Sequence, residues 1–159
     1  AASEMAEQHY AEAVAHLEGA GYLRYEISNF ALPDHECRHN QAYWRGDDYL
    51  GIGAAAVSTS GEERRINPRS VLDYLAGRPP EVERLSTATR VREKVMLGLR
   101  TREGVDEESV LAAVDSEARD RLLAQGCLER RYGKLRVNPG FLDVSNSVIG
   151  TLLASPGES

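Results

Sequence analysis

Between Asp34 and Gly46 the chain sets out His35, Cys37, His39, Asn40, Tyr43 and Trp44 within a dozen positions. Imidazole and thiol are metal ligands, and flat aromatic faces beside them suit a large planar or metal-bearing ligand. In an extended segment His35, Cys37 and His39 alternate and would point one way. A structural zinc site takes four protein ligands, so three at this spacing make an incomplete set. If His39 opens a short helix, Tyr43 lies four residues on and shares its face. A plainer use of the same residues packs Tyr43 and Trp44 against a sheet, with Asn40 capping the helix through its side-chain oxygen. The two uses are compatible.

The flanking residues say what would hold this segment. Tyr25, Ile27 and Phe30 predict a strand over Arg24–Phe30, and Pro33 breaks it. Tyr49-Leu50-Gly51-Ile52-Gly53 predicts a second strand, so the expected frame is strand, short helix, strand. Gly51 and Gly53 remove side chains where a ligand or another backbone must come close. A lone Gly-x-Gly without the fuller turn, helix and distant acid is weak evidence for a nucleotide.

The order YEISNFA, HNQAYW, YLGIGA resembles the radical S-adenosylmethionine family of oxygen-independent coproporphyrinogen III oxidases, and is more closely similar to its HemW branch of heme-binding proteins. The resemblance runs from Tyr10 to Leu153, and HNQAYW is its most specific part. It implies heme or porphyrin as ligand, with His39, Asn40, Tyr43 and Trp44 in contact and Cys37 eligible beside them. Imidazole and thiolate are both axial ligands of heme iron. It also implies an S-adenosylmethionine pocket in the intact protein near Gly51, Gly53 and Val57, the last contacting adenine. The HemW branch shows Gly-Ala-His where this chain has Ala56-Val57, and the oxidase branch has an aliphatic residue there.

The implied fold class is α+β. The last αβ elements of a partial TIM-type barrel fill residues 1–78. A mainly helical, winged-helix-like unit fills 79–159, with Arg78-Pro79-Pro80-Glu81 as the linker. The family's 4Fe-4S cluster sits on a closely spaced three-cysteine motif. This chain has only Cys37 and Cys127, and a four-iron cluster needs three or four thiolates. The expectation is a C-terminal piece that leaves radical chemistry to a missing N-terminal barrel and exposes a sheet edge open to dimerisation. The start Ala-Ala-Ser-Glu fits an excised piece. The alternatives are a piece of a true oxidase, which decarboxylates propionates, and a nucleic-acid or protein-binding module.

Elsewhere, Met5, Tyr10, Val14 and Leu17 predict a helix ended by Gly19 and Gly21. Asn67-Pro68 predicts the start of another with Val71, Leu72 and Leu75 inward. Helices follow over Val91, Val95 and Leu99, after Asp106 as cap, and from Ser116. A hairpin then turns at Tyr132-Gly133, and a helix closes over Val144 to Leu153. Residues 84–137 hold twelve bases against nine acids, too even a balance for a nucleic-acid module, although Arg119, Arg121, Arg130, Arg131, Lys134 and Arg136 are its would-be phosphate contacts. No signal peptide or membrane span is legible, and the cysteine usage fits the cytoplasm.

Overall fold

The computed structural model describes residues 2–111 and 113–153 and is α+β. Helix α1 (Ala2–Gly19) leads to a minimal antiparallel pair, β1 (Leu23–Arg24) with β2 (Phe30–Ala31). Helix α2 (Arg38–Trp44) follows, then a three-stranded antiparallel sheet, β3 (Val57–Ser60), β4 (Glu63–Ile66) and β5 (Glu81–Arg84), with α3 (Val71–Leu75) between the last two. The second half runs α4 (Thr87–Gly98), β6 (Val105–Asp106), α5 (Glu107–Val110), α6 (Ser116–Ala124), β7 (Leu128–Arg131) and β8 (Lys134–Val137). A 3-10 turn (Pro139–Val144) and α7 (Ser145–Leu153) complete it. Its sheet order is β6-β8-β7.

The core lies in the second half. Leu99, Leu135 and Leu152 are wholly buried and pack with Val95, Val110 and Leu128. Each leucine withdrawn from water contributes about 1.5–3 kcal/mol. Local chemistry marks the element ends. The Ser86 hydroxyl accepts from the Thr89 amide at the start of α4, and the Asp115 carboxylate accepts from the Ala118 amide at the start of α6. Tyr132 (φ 51°) and Gly133 (φ 75°) take the two left-handed positions of the β7–β8 turn, as their sequence predicts. Asp106 stands at the cap position of α5, but its side chain makes no capping bond.

The first half departs from several expectations. Arg24–Phe30 is not one strand, because Tyr25–Asn29 folds into a turn around the Glu26 carboxylate. That carboxylate is 1% exposed and accepts from the Ser28 amide at 3.2 Å and from the Asn29 side-chain amide. Serine and asparagine there supply turn chemistry that outweighs the alternating apolar pattern. Tyr49–Gly53 is not a strand either: only Tyr49 bridges to Thr59. Gly53 (φ 110°) and Ala55 (φ 61°) bend the chain out of register. All named strand pairs are antiparallel, so the parallel αβ step expected after α1 is not formed among the described residues.

Helix α3 starts after Ser70, not at Asn67-Pro68, because the Ser70 hydroxyl accepts from the Asp73 amide, while Asn67 turns away to donate to the Gly53 carbonyl. The α3 residues expected inward, Val71, Leu72 and Leu75, are exposed, since no described element covers them. On α1 only Val14 and Leu17 of the expected apolar face are half-buried, while Met5 and Tyr10 are exposed. The stretch Arg78–Glu81 runs directly into β5, whose pairing with β4 keeps it with the first half.

The two halves meet along α4. Glu26 bridges to Thr101, the Arg102 amide donates to the Tyr25 carbonyl at 2.9 Å, and Arg64 of β4 pairs with Glu93 at 2.6 Å. That hydrogen bond holds the Arg64 guanidinium above its ordinary pKa, against the opposing effect of burial. At the end of α2, Arg90 of α4 donates to the Gly46 carbonyl at 3.3 Å and seats α2 against α4.

Candidate functional site

Helix α2 carries RHNQAYW on seven residues, none of them buried. Cys37, extended at φ −64° and ψ 110°, takes the N-cap position without a side-chain capping bond. Asn40 is therefore inside the first turn and does not cap the helix. Its side-chain amide donates instead to the Tyr25 hydroxyl at 3.3 Å. One residue of YEISNFA thus positions one of HNQAYW.

The helical period separates the motif's side chains by face. His39 and Tyr43, four residues apart, share one face, and both are exposed. Trp44, with Gln41 and Arg45, lines a cleft of about 670 Å³ between α2 and the α4–β6 region. Tyr43 joins the faces: its ring meets Trp44 edge-on at 5.5 Å and Tyr49 at 5.8 Å. The Trp44 indole nitrogen is buried without a hydrogen-bond partner, unusual for a tryptophan that serves only as packing.

His35, Cys37 and His39 do not converge. The His35 ring Nδ1 lies 2.9 Å from the Pro33 carbonyl, and Cys37 and His39 are exposed. Among the described residues no group of three or more His, Cys, Asp or Glu side chains is placed to hold a metal ion. Cys127, just before β7, and Cys37, at the N-cap of α2, are both free thiols.

Gly51 and Val57 do come together, but through backbone, while Gly53 is held by Tyr74 and Asn67. The Gly51 amide donates to the Ser58 hydroxyl at 3.0 Å, and a Cβ on Gly51 would collide with the Val57 carbonyl. The Gly53 amide donates to the Tyr74 hydroxyl at 3.2 Å, and its carbonyl accepts from Asn67 at 2.9 Å. Glycine at 51 is explained by close backbone packing without a ligand.

Sequence reading missed Lys94. It sits one residue before core Val95, and the signal for it is Gly46, directly after the motif. Gly46 is left-handed at φ 68°, and a Cβ there would stand 2.8 Å from Lys94 Cγ. The lysine stem thus lies over the end of α2, and the residue lines the cleft.

Of the six would-be phosphate contacts, Arg121 and Arg131 are exposed and the other four lie beside carboxylates of this chain. Arg119 pairs with Asp120 and Arg130 with Glu107, each at 2.8 Å, while Arg136 is buried and paired with Glu129. Lys134 lies 3.9 Å from Glu103. Cations engaged by their own carboxylates release no counterions from a phosphate backbone.

No family model matches the chain. It is 38% identical over 116 residues to the heme chaperone HemW of Synechocystis sp., covering 68% of this chain and 28% of that protein. It is 33% identical over 145 residues to the heme chaperone HemW of Mycobacterium tuberculosis, covering 87% of this chain and 37% of that protein. The chain therefore spans well under half the length of these relatives. Its fold matches that of the radical SAM enzyme coproporphyrinogen III oxidase (HemN) from Escherichia coli with a TM-score of 0.67, at 18% identity, over 91% of this chain and 40% of that one.

Proposed function

We propose a role in handling heme or porphyrin for this chain, which is a HemW-like part of the radical S-adenosylmethionine family that also holds the oxygen-independent coproporphyrinogen III oxidases. The observation that carries the reading is α2: a helix with no buried residue that displays His39, beside Cys37 at its N-cap, to solvent and sets Trp44, whose buried indole N–H has no partner among the described residues, on the wall of a cleft. Heme is cargo on this account. His39, Asn40, Tyr43, Trp44 and Cys37 are its contacts, with His39 and Cys37 eligible to ligate iron. Their exposure suits a ligand that must be taken up and passed on.

The family's 4Fe-4S cluster does not fit this chain's donor set, which offers one exposed thiol and one half-buried thiol on separate elements. Radical chemistry belongs to the remainder of a longer protein, the missing N-terminal barrel. Gly51, Gly53 and Val57 are proposed as the chain's contribution to an S-adenosylmethionine pocket. Residues 1–78 are proposed as the barrel's end, with β5 paired onto them, and the remainder of 79–159 as a winged-helix-like unit. The order α4, β6, α5, α6, β7, β8 supports the latter. Exposed Leu50, Ile52, Leu72 and Leu75 support a face that the missing barrel or a second copy covers. Two unpaired thiols suit a reducing compartment such as the cytoplasm. No described helix is long and apolar enough to cross a membrane.

A second reading, part of a true coproporphyrinogen III oxidase, is favoured by the aliphatic Val57. The full-length, cluster-reconstituted protein would then decarboxylate propionate side chains. Absorption spectra of the ferric heme complex of the wild type, His39→Ala and Cys37→Ala test the first reading. One substitution should shift or abolish the Soret band. Identical spectra and affinities in all three would remove both residues as iron ligands.

A further inference from the structure

We infer that the cleft beside Trp44 is a tetrapyrrole-ring site that recognises apolar faces and a carboxylate rather than iron, with Lys94 as the carboxylate anchor. The inference rests on the heme-handling reading and adds where, and through which groups, the organic part of the ligand is held. The cleft's volume of about 670 Å³ falls in the ordinary range for an organic-ligand pocket. Its lining sets the Trp44 residue beside the half-buried Val91 and Val105, backed by the core residues Val95 and Val110, an apolar wall for a flat ring. His35, Cys37 and His39 do not line it, so nothing in the cleft calls for iron.

The charges around it select the anchor. Of the four cations that line the cleft, Arg45 pairs with Asp47 at 3.1 Å, Arg102 with Glu36 at 3.0 Å, and Lys134 with Glu103 at 3.9 Å. Lys94 makes no ion pair with a described residue, although Asp34 and Asp106 also face the cleft. Its stem is held over Gly46, whose missing side chain makes room for it. A lysine held at the end of the motif helix and left without a carboxylate is placed to accept one from a ligand. Both walls of the cleft belong to this chain.

The test is a paired titration of the chain with ferric heme and with metal-free protoporphyrin, read by absorbance and by fluorescence of Trp44, the sole tryptophan. Both ligands should saturate at one equivalent. Lys94→Glu should weaken both by about tenfold or more, the worth of a charged hydrogen bond, while Lys94→Arg keeps them. Ser109→Trp, an exposed cleft-lining position, should block both by bulk, and circular dichroism should show each variant folded. Heme binding that excludes protoporphyrin and ignores Lys94→Glu and Ser109→Trp would overturn the cleft assignment and leave the heme reading standing. Absence of heme binding by the folded wild type would overturn both.

Discussion

Gly51 and Glu107 show what single groups do in this chain. At Gly51 the backbone passes so close to Val57 that a Cβ would stand 2.8 Å from the Val57 carbonyl carbon. Backbone cannot swing aside as a flexible side chain can, so Gly51→Ala should cost about 1–3 kcal/mol in urea unfolding, in the range of overpacking. If instead glycine is there for a ligand alone, unfolding will not change. Glu107 accepts from Arg130 at 2.9 Å, and that hydrogen bond holds its carboxyl below the ordinary range, outweighing the opposing effect of burial. A depressed folded-state pKa contributes stability above the unfolded value of about 4.3, which is lost as pH falls through the folded value. The difference in urea midpoint between wild type and Glu107→Gln should therefore be present at neutral pH and shrink below about pH 4.

At the scale of elements, the second half was legible because its signals are local. Ser86 is followed by an apolar face at helical spacing, and Tyr132-Gly133 can close a two-residue hairpin with little strain. Such chemistry does not depend on distant partners. Asp115→Ala, which leaves the Ala118 amide uncapped, should cost about 1 kcal/mol of stability. A cost near zero would show that the start of α6 is held by its packing against α7 and β7 instead. The first half misled for the opposite reason. Tyr25, Ile27 and Phe30 alternate like a strand, but the Glu26 carboxylate organises Ser28 and Asn29 into a turn, and its burial depends on the Thr101 segment of the other half. A pattern of apolar residues does not report that long-range contact. Likewise HNQAYW could be read as a helix bearing His39 and Tyr43 on one face. That Trp44 meets a cleft built with α4 could not, because Lys94 and Gly46 become neighbours only in the fold.

For the molecule as a whole, apolar burial is unevenly shared. The buried cluster runs through α4, α6, α7, β7 and β8, whereas the first half buries chiefly Tyr25, Ala31, Glu26 and Thr59 and leaves Leu50, Ile52 and Leu72 exposed. Amides of α4, α7 and β8 should exchange hydrogen most slowly, and those of α1 and α3 fastest. Uniform protection across both halves would mean that the ties of Arg64 to Glu93 and of Arg102 to Tyr25 weld them into one cooperative unit. The site lies at this join, where α2 is tied to a rigid helix and open on its outer face. The central claim, that α2 and its surroundings bind heme, is tested most directly by titrating the folded chain with ferric heme and following the Soret band. The account expects saturation at one equivalent, with binding weakened when Trp44 is replaced by alanine. A featureless titration in which the free-heme spectrum simply grows would contradict it.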